Sequence, residues 1–262
     1  MDFESIKAWF NELLLAINEI KKFYDENKDI IHASIEAFIK LPERLKTAGD
    51  EWVKYGWVPF LPNSDLGIIA EALDYPKTQN EADNRMLNLL NNCTYDVLFQ
   101  GISDLITDSE NKMQLFEESV FCFNNQKYTS CVLNIFAIID ICFLENQPKE
   151  SKDKNRKLPG NAFGKMFGEE KTDDSNTLLY ITVGIIKETY KNGKDFSIEE
   201  NKLNRNFVSH GMNKRKVTKT DCEKMYVLLY NVLALFQYGL LNWEKSENNQ
   251  FIQNDLFDEN IE

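Results

Sequence analysis

Asn204-Arg205-Asn206-Phe207-Val208-Ser209-His210-Gly211 reads as a short helix that ends on a glycine and is pressed onto a core by Phe207, Val208 and the following Met212. At ~100° and ~1.5 Å per residue, Asn206 and His210 stand one above the other, while Arg205 lies ~140° round and ~7.5 Å below His210. A long arginine side chain spans that gap. Histidine exchanges protons near neutral pH, and arginine offers phosphate oxygens a permanently charged planar fork. The pair therefore has the chemistry of an RNA-cleaving unit. Gly211 suits a left-handed exit from the helix, which leaves His210 at an end whose carbonyls and negative dipole favour the protonated imidazole. The plainer alternative is a surface Arg and His with local hydrogen bonds only.

Charge is distributed unevenly around this segment. The 262-residue chain has a net charge of −12, yet Lys202, Arg205, Lys214, Arg215, Lys216 and Lys219 follow one another with no acidic residue between them. Residues 112–243 carry 19 Lys and Arg against 16 Asp and Glu, whereas residues 1–111 carry 10 against 20. An anionic substrate is drawn to the former part of the chain. Lys202, Lys214, Arg215, Lys216 and Lys219 are accordingly the expected RNA-binding residues.

An Arg followed by a polar residue, then a His a few residues on, near the start of the last helix pair of a small four-helix unit, is the pattern of HEPN ribonucleases. Arg205-Asn206 and His210 match it with four intervening residues, and Gly211 matches the glycine often found after the histidine. The flanks agree: Met113–Gln126 and Tyr128–Glu145 resemble the first helix pair, and Thr220–Trp243 the closing helix. The resemblance spans about residues 112–243. It implies a metal-independent endoribonuclease, an effector of phage defence or of a toxin system, in which two copies face each other and form a composite site. Arg205, Asn206 and His210 would be catalytic. One histidine cannot serve as acid and base at once, so one motif per chain implies a homodimer. Asp140, a lone acid in the apolar run Ile135–Leu144, is the candidate partner for Arg205 or His210, or else an acid turned to solvent. Residues 1–111 would sense or restrain the nuclease, through a regulatory protein or a phage-derived trigger. A catalytically inactive helical protein that dimerises through the same bundle stays open as the alternative.

Composition sets bounds on these readings. With 43% hydrophobic and 12% aromatic residues the chain can build a real core. The runs Val132–Leu144 and Val227–Leu241 are broken by Asn134, Asp140, Asn231 and Gln237 and fall short of the ~20 apolar residues of a membrane span. The opening Met1-Asp2-Phe3-Glu4 lacks the basic start of a secretory signal, so a cytoplasmic location with no membrane partner is expected. Five cysteines, none in a Cys-x-x-Cys pair, read as reduced core thiols. With His32 and His210 the only histidines and no glycine-rich phosphate loop, neither metal nor cofactor is expected.

Strand patterning is almost absent, and the expected fold class is all-α: an antiparallel helical bundle, HEPN-like, with an additional N-terminal helical domain. Steps of three and four between apolar residues predict helices over 3–24, 29–46, 80–90, 95–106 and 178–190, with Pro42 kinking or ending the second. Trp52–Pro62, with two tryptophans, Gly56 and two prolines, reads as a packed connection. Ser197 and Glu200 form a capping box ahead of the motif helix. Three parts are expected: an N-terminal domain over 1–111, a bundle over 112–243 with a long loop at 147–177, and a loosely ordered acidic tail over 244–262. His32 reads as structural.

Overall fold

A computed structural model of the chain describes residues 43–62, 74–93, 95–106, 109–146, 177–190 and 202–239. Among these every regular element is an α-helix. They are α1 (43–55), α2 (Gln79–Cys93), α3 (Tyr95–Leu105), α4 (Glu110–Asn124), α5 (Tyr128–Glu145), α6 (Thr177–Thr189), α7 (Arg205–Ser209) and α8 (Lys219–Gln237). The fold class is all-α, as the sequence predicts.

α8 occupies the centre and packs against α3, α5 and α6. Met225, Leu228, Leu229, Val232 and Leu235 are buried together with Cys222, Tyr226 and Asn231, so the helix has almost no solvent face. α4 and α5 form a hairpin across the turn Asn125–Lys127, and Ser109 caps α4 by accepting the Lys112 N–H at 3.2 Å. Although 18-residue α5 is long and apolar enough to cross a bilayer, it lines the interior with Val132, Ile135, Phe136, Ile139 and Phe143. Tyr226 joins the two halves of the core. Its ring meets Phe99, Phe116 and Phe123 edge-on, and its hydroxyl contacts Ser119 Oγ at 3.1 Å.

α1 runs further than the sequence predicts. Ala48, Trp52 and Tyr55 are buried at helical spacing, so Trp52–Tyr55 belong to the helix, and the chain leaves it at Gly56 with φ +75°. Only from Trp57 onward is the stretch a packed connection, with the Trp57 indole N–H donating to Asp83 at 2.7 Å. The closing helix begins at Lys219 and ends at Gln237, with Gly239 at φ +66° behind it. The capping residue of the motif helix is Asn204. Outside the described residues lie Ser197, Glu200, His32, Pro42, the helix expected over 3–24, residues 147–176 of the expected loop, and the acidic tail.

The chain divides into compact units between Arg44 and Leu45. In the second unit, Trp52, Trp57, Met86 and Ile102 share one hydrophobic cluster with Phe136, Ile186 and Leu229. Buried residues of 45–106 thus share one core with those of α4, α5, α6 and α8.

α1 and α6 approach closely at Gly184, where an added Cβ would lie 2.7 Å from Cγ2 of the stiff, β-branched Val53. Gly184→Ala should therefore cost about 1–3 kcal/mol of stability by overpacking, against the small gain expected for alanine in an open helix. Urea unfolding checks this, and an unchanged or raised midpoint would contradict it.

Candidate functional site

The motif segment is a single helical turn held at both ends. Asn204 Oδ1 accepts the N–H groups of Asn206 and Phe207 at 2.9 and 3.4 Å, replacing two of the partners that a helix start lacks. At the other end His210 is the C-cap, and Gly211 takes φ +64°. The Met212 N–H returns to the Phe207 carbonyl at 2.8 Å and that of Gly211 to Val208 at 3.2 Å, the paired bonds of a Schellman ending. The glycine at 211 is required by that backbone, as expected. Phe207 and Val208 are buried, and α7 packs against α5.

That packing brings Arg205 to Asp140. The guanidinium Nη2 donates to Asp140 Oδ2, and the second carboxylate oxygen accepts the Tyr190 hydroxyl at 2.9 Å. Asp140 is 15% exposed and Arg205 30%, so the pair sits at the rim of the core. Burial foremost, then the Asp140 charge and hydrogen bond, hold the Tyr190 hydroxyl well above its ordinary pKa, and it remains a donor. Asp140 is thus clamped between a neutral donor and a cation. Arg205 Nε is buried with no hydrogen-bond partner. Asn206 is half-buried, its carbonyl accepting the His210 N–H at 3.1 Å, and His210 is exposed at the end of the turn.

The five expected RNA-binding residues divide into two groups. Arg215 grips Asp221 with both ends of its fork at 2.7 and 2.9 Å, and Asp221 also accepts the Thr218 N–H and hydroxyl that cap α8. Lys219 lies 3.2 Å from Glu223, a carboxylate only 2% exposed that also accepts the Tyr95 hydroxyl at 2.5 Å. Lys202 makes a looser, exposed pair with Glu188 at 3.4 Å. Lys214 and Lys216 are exposed on the segment between α7 and α8. The structure therefore brings Arg205 to Asp140, sets His210 at the surface five residues on from Arg205, and commits Arg215 and Lys219 to acids of α8.

Two residues absent from the sequence reading matter here. Tyr190 carries no local signal, because its partner lies fifty residues away. Lys127 borders a concave site of about 380 Å³ together with Lys214, Arg215 and Lys216. Only its place in the turn between two helices hinted at exposure.

No family model, curated protein or solved structure matches the chain.

Burial alone would push the Asp221 carboxyl up; the Arg215 fork and the Thr218 N–H outweigh it and leave it below its ordinary 3.8. Its contribution to stability should be complete above about pH 3.8 and fade as pH falls through the lower folded-state value. Asp221→Asn should accordingly cost about 1–3 kcal/mol at pH 7 and much less in strong acid. Denaturant unfolding of both proteins across pH tests this; a deficit constant down to pH ~2 would mean that the carboxylate charge contributes nothing.

Proposed function

We propose that the chain is a metal-independent endoribonuclease of HEPN type, acting on RNA in the cytoplasm through a composite site that two copies build. The observation that carries this reading is the Arg205–Asp140 clamp, with His210 at the exposed C-cap five residues on. A phosphoryl transfer of this kind needs a base for the 2′-hydroxyl, a cation for the charge that develops on the phosphorane, and an acid for the leaving oxygen. With Nη2 turned to Asp140 and Nε buried, Nη1 is the nitrogen left to serve the phosphorane, and the carboxylate fixes the plane in which it lies. His210 takes or returns the proton, and its counterpart in a second copy supplies the other role. Asn206 shares the motif turn and orients the imidazole or contacts phosphate. On this reading the described helices 109–239 form a HEPN-like bundle, and the protein is an effector of phage defence or of a toxin system answering to a regulatory or phage-derived trigger.

One observation also favours a catalytically silent dimerisation bundle. An arginine bound to a core-edge carboxylate is what a structural clamp between α5 and α7 would look like. The two readings part at His210, which is exposed and whose loss should leave the fold unchanged.

Purified protein should degrade RNA in the presence of a chelator, leave 2′,3′-cyclic phosphate ends and spare DNA, which lacks the nucleophile. His210→Ala should abolish cleavage with its unfolding midpoint unchanged. Arg205→Lys should lose about 10²-fold or more, because lysine keeps the charge and loses the fork. Ends bearing only 3′-hydroxyls, or a requirement for Mg²⁺, would refute the mechanism.

Assembly is tested separately. Sedimentation at micromolar concentration should find a homodimer, and heterodimers of wild type with His210→Ala should cleave far less than half as fast as wild type if both imidazoles are needed. A monomer with full activity would overturn the composite site.

A further inference from the structure

The turn between α4 and α5 and the segment between α7 and α8 flank an open concave site of about 380 Å³ that the expected catalytic residues do not occupy. Four cations line it, Lys127, Lys214, Arg215 and Lys216, and no Asp or Glu does. Arg215 is engaged with Asp221, whereas Lys127 and Lys216 are exposed cations with no carboxylate partner among the described residues. Hydroxyls of Thr129 and Ser130 complete the wall, on the first turn of α5, to which Lys127 supplies no side-chain cap. In a chain of net charge −12, a cationic concavity free of acids is a local feature of the described surface that suits a polyanion.

An aromatic ring stands beside it. Phe121 is 60% exposed, the most exposed phenylalanine of the described core helices, and Lys127 Nζ lies 5.8 Å from its ring centroid. The buried stripe of α4 runs through Lys112, Phe116, Ser119 and Phe123, and Phe121 falls off it. A ring exposed to that degree buries little apolar area and so contributes little to the fold at that position. Base-stacking rings next to a track of cations are the means by which proteins hold single-stranded nucleic acid without reading its sequence.

The geometry points to a single-stranded RNA-binding site in which Phe121 stacks a base and Lys127, Lys214 and Lys216 hold the backbone phosphates. The choice of RNA as the strand rests on the nuclease reading above. Asn213, at the edge of the groove, is three residues from His210, which limits their main-chain separation to about 11 Å. A strand lying in the groove therefore passes close to the motif turn, and the groove sets which phosphate reaches it.

The test uses the full chain and a fluorescent 2′-O-methyl oligonucleotide of about twelve nucleotides, which lacks the nucleophile and cannot be cut by the proposed route. Phe121→Ala should weaken binding about tenfold to a hundredfold, and Phe121→Trp should preserve it. The double variant Lys127→Ala/Lys216→Ala should lower the slope of log K against log salt by about 0.7 per lysine. These are surface side chains, so the unfolding midpoint should not move. Unchanged affinity in Phe121→Ala, or an unchanged salt slope in the double variant, overturns the site, as does a Phe121→Ala protein whose only defect is loss of self-association in sedimentation. Cleavage of ordinary RNA is measured alongside. Wild-type cleavage with no Phe121 effect on binding removes the groove and leaves the nuclease, while Phe121-dependent binding without cleavage supports the groove and removes the nuclease.

Discussion

A helix with almost no solvent face makes a strong demand on everything around it: the polar groups it buries need partners inside the protein. α8 is such a helix. Asn231 sends its Nδ2 to the carbonyls of Phe60 and Val227 at 3.0 and 2.8 Å, tying the connection after α1 to the centre of the bundle, while its Oδ1 is buried with no hydrogen-bond partner. Tyr226 places its hydroxyl between Ser119 of α4 and Cys131 of α5. Glu223 reaches Tyr95 of α3, and Asp221 takes Arg215 from the preceding segment. Four polar residues on one helix thereby fix the positions of five neighbouring parts of the chain.

The same rule sorts the cations of the 202–219 segment. An unpartnered carboxylate at the burial of Glu223 costs several kcal/mol even after relaxation, whereas an exposed ion pair contributes about 0–1 kcal/mol. The stronger demand wins, so Lys219 and Arg215 neutralise α8 while Lys202 rests in a loose surface pair. A patch that looks uniform as a string of charges is, in three dimensions, partly scaffold. Lys216 remains exposed for an anion, and Lys127, from a different hairpin, lines the same concavity.

Local periodicity and capping chemistry made most helices legible. The span Tyr128–Glu145 matches the sequence prediction, and Gly211 ends α7 as its position before a basic loop indicates. Tyr55 and Trp52 were harder, because tryptophans, Gly56 and Pro59 close together resemble a loop when the helical spacing from Ala48 is overlooked. The fate of Arg215 and Lys219 was also written locally, in the Thr218–Asp221 capping box and the i,i+4 spacing of Lys219 and Glu223. By contrast, the choice of Arg205 rather than His210 as the partner of Asp140 depends on how α7 lies across α5, and no window of sequence contains both elements.

A five-residue helix has no stability of its own, since nucleation fixes several backbone angles for a single hydrogen bond. α7 exists because Asn204 caps it, Gly211 closes it, and Phe207 and Val208 are buried against α5. Asp140 belongs to α5 as well, and Tyr190 closes the other side of its carboxylate from the end of α6. The plane of the Arg205 guanidinium is therefore set by three helices, two of which are themselves fixed by α8. His210 lies one residue past the last helical position, with its backbone N–H still bonded to Asn206, so its Cα inherits the placement of the turn while its ring stays at the surface. A group held by the core beside a group offered to solvent is the arrangement that lets a rigid scaffold present chemistry without giving up stability.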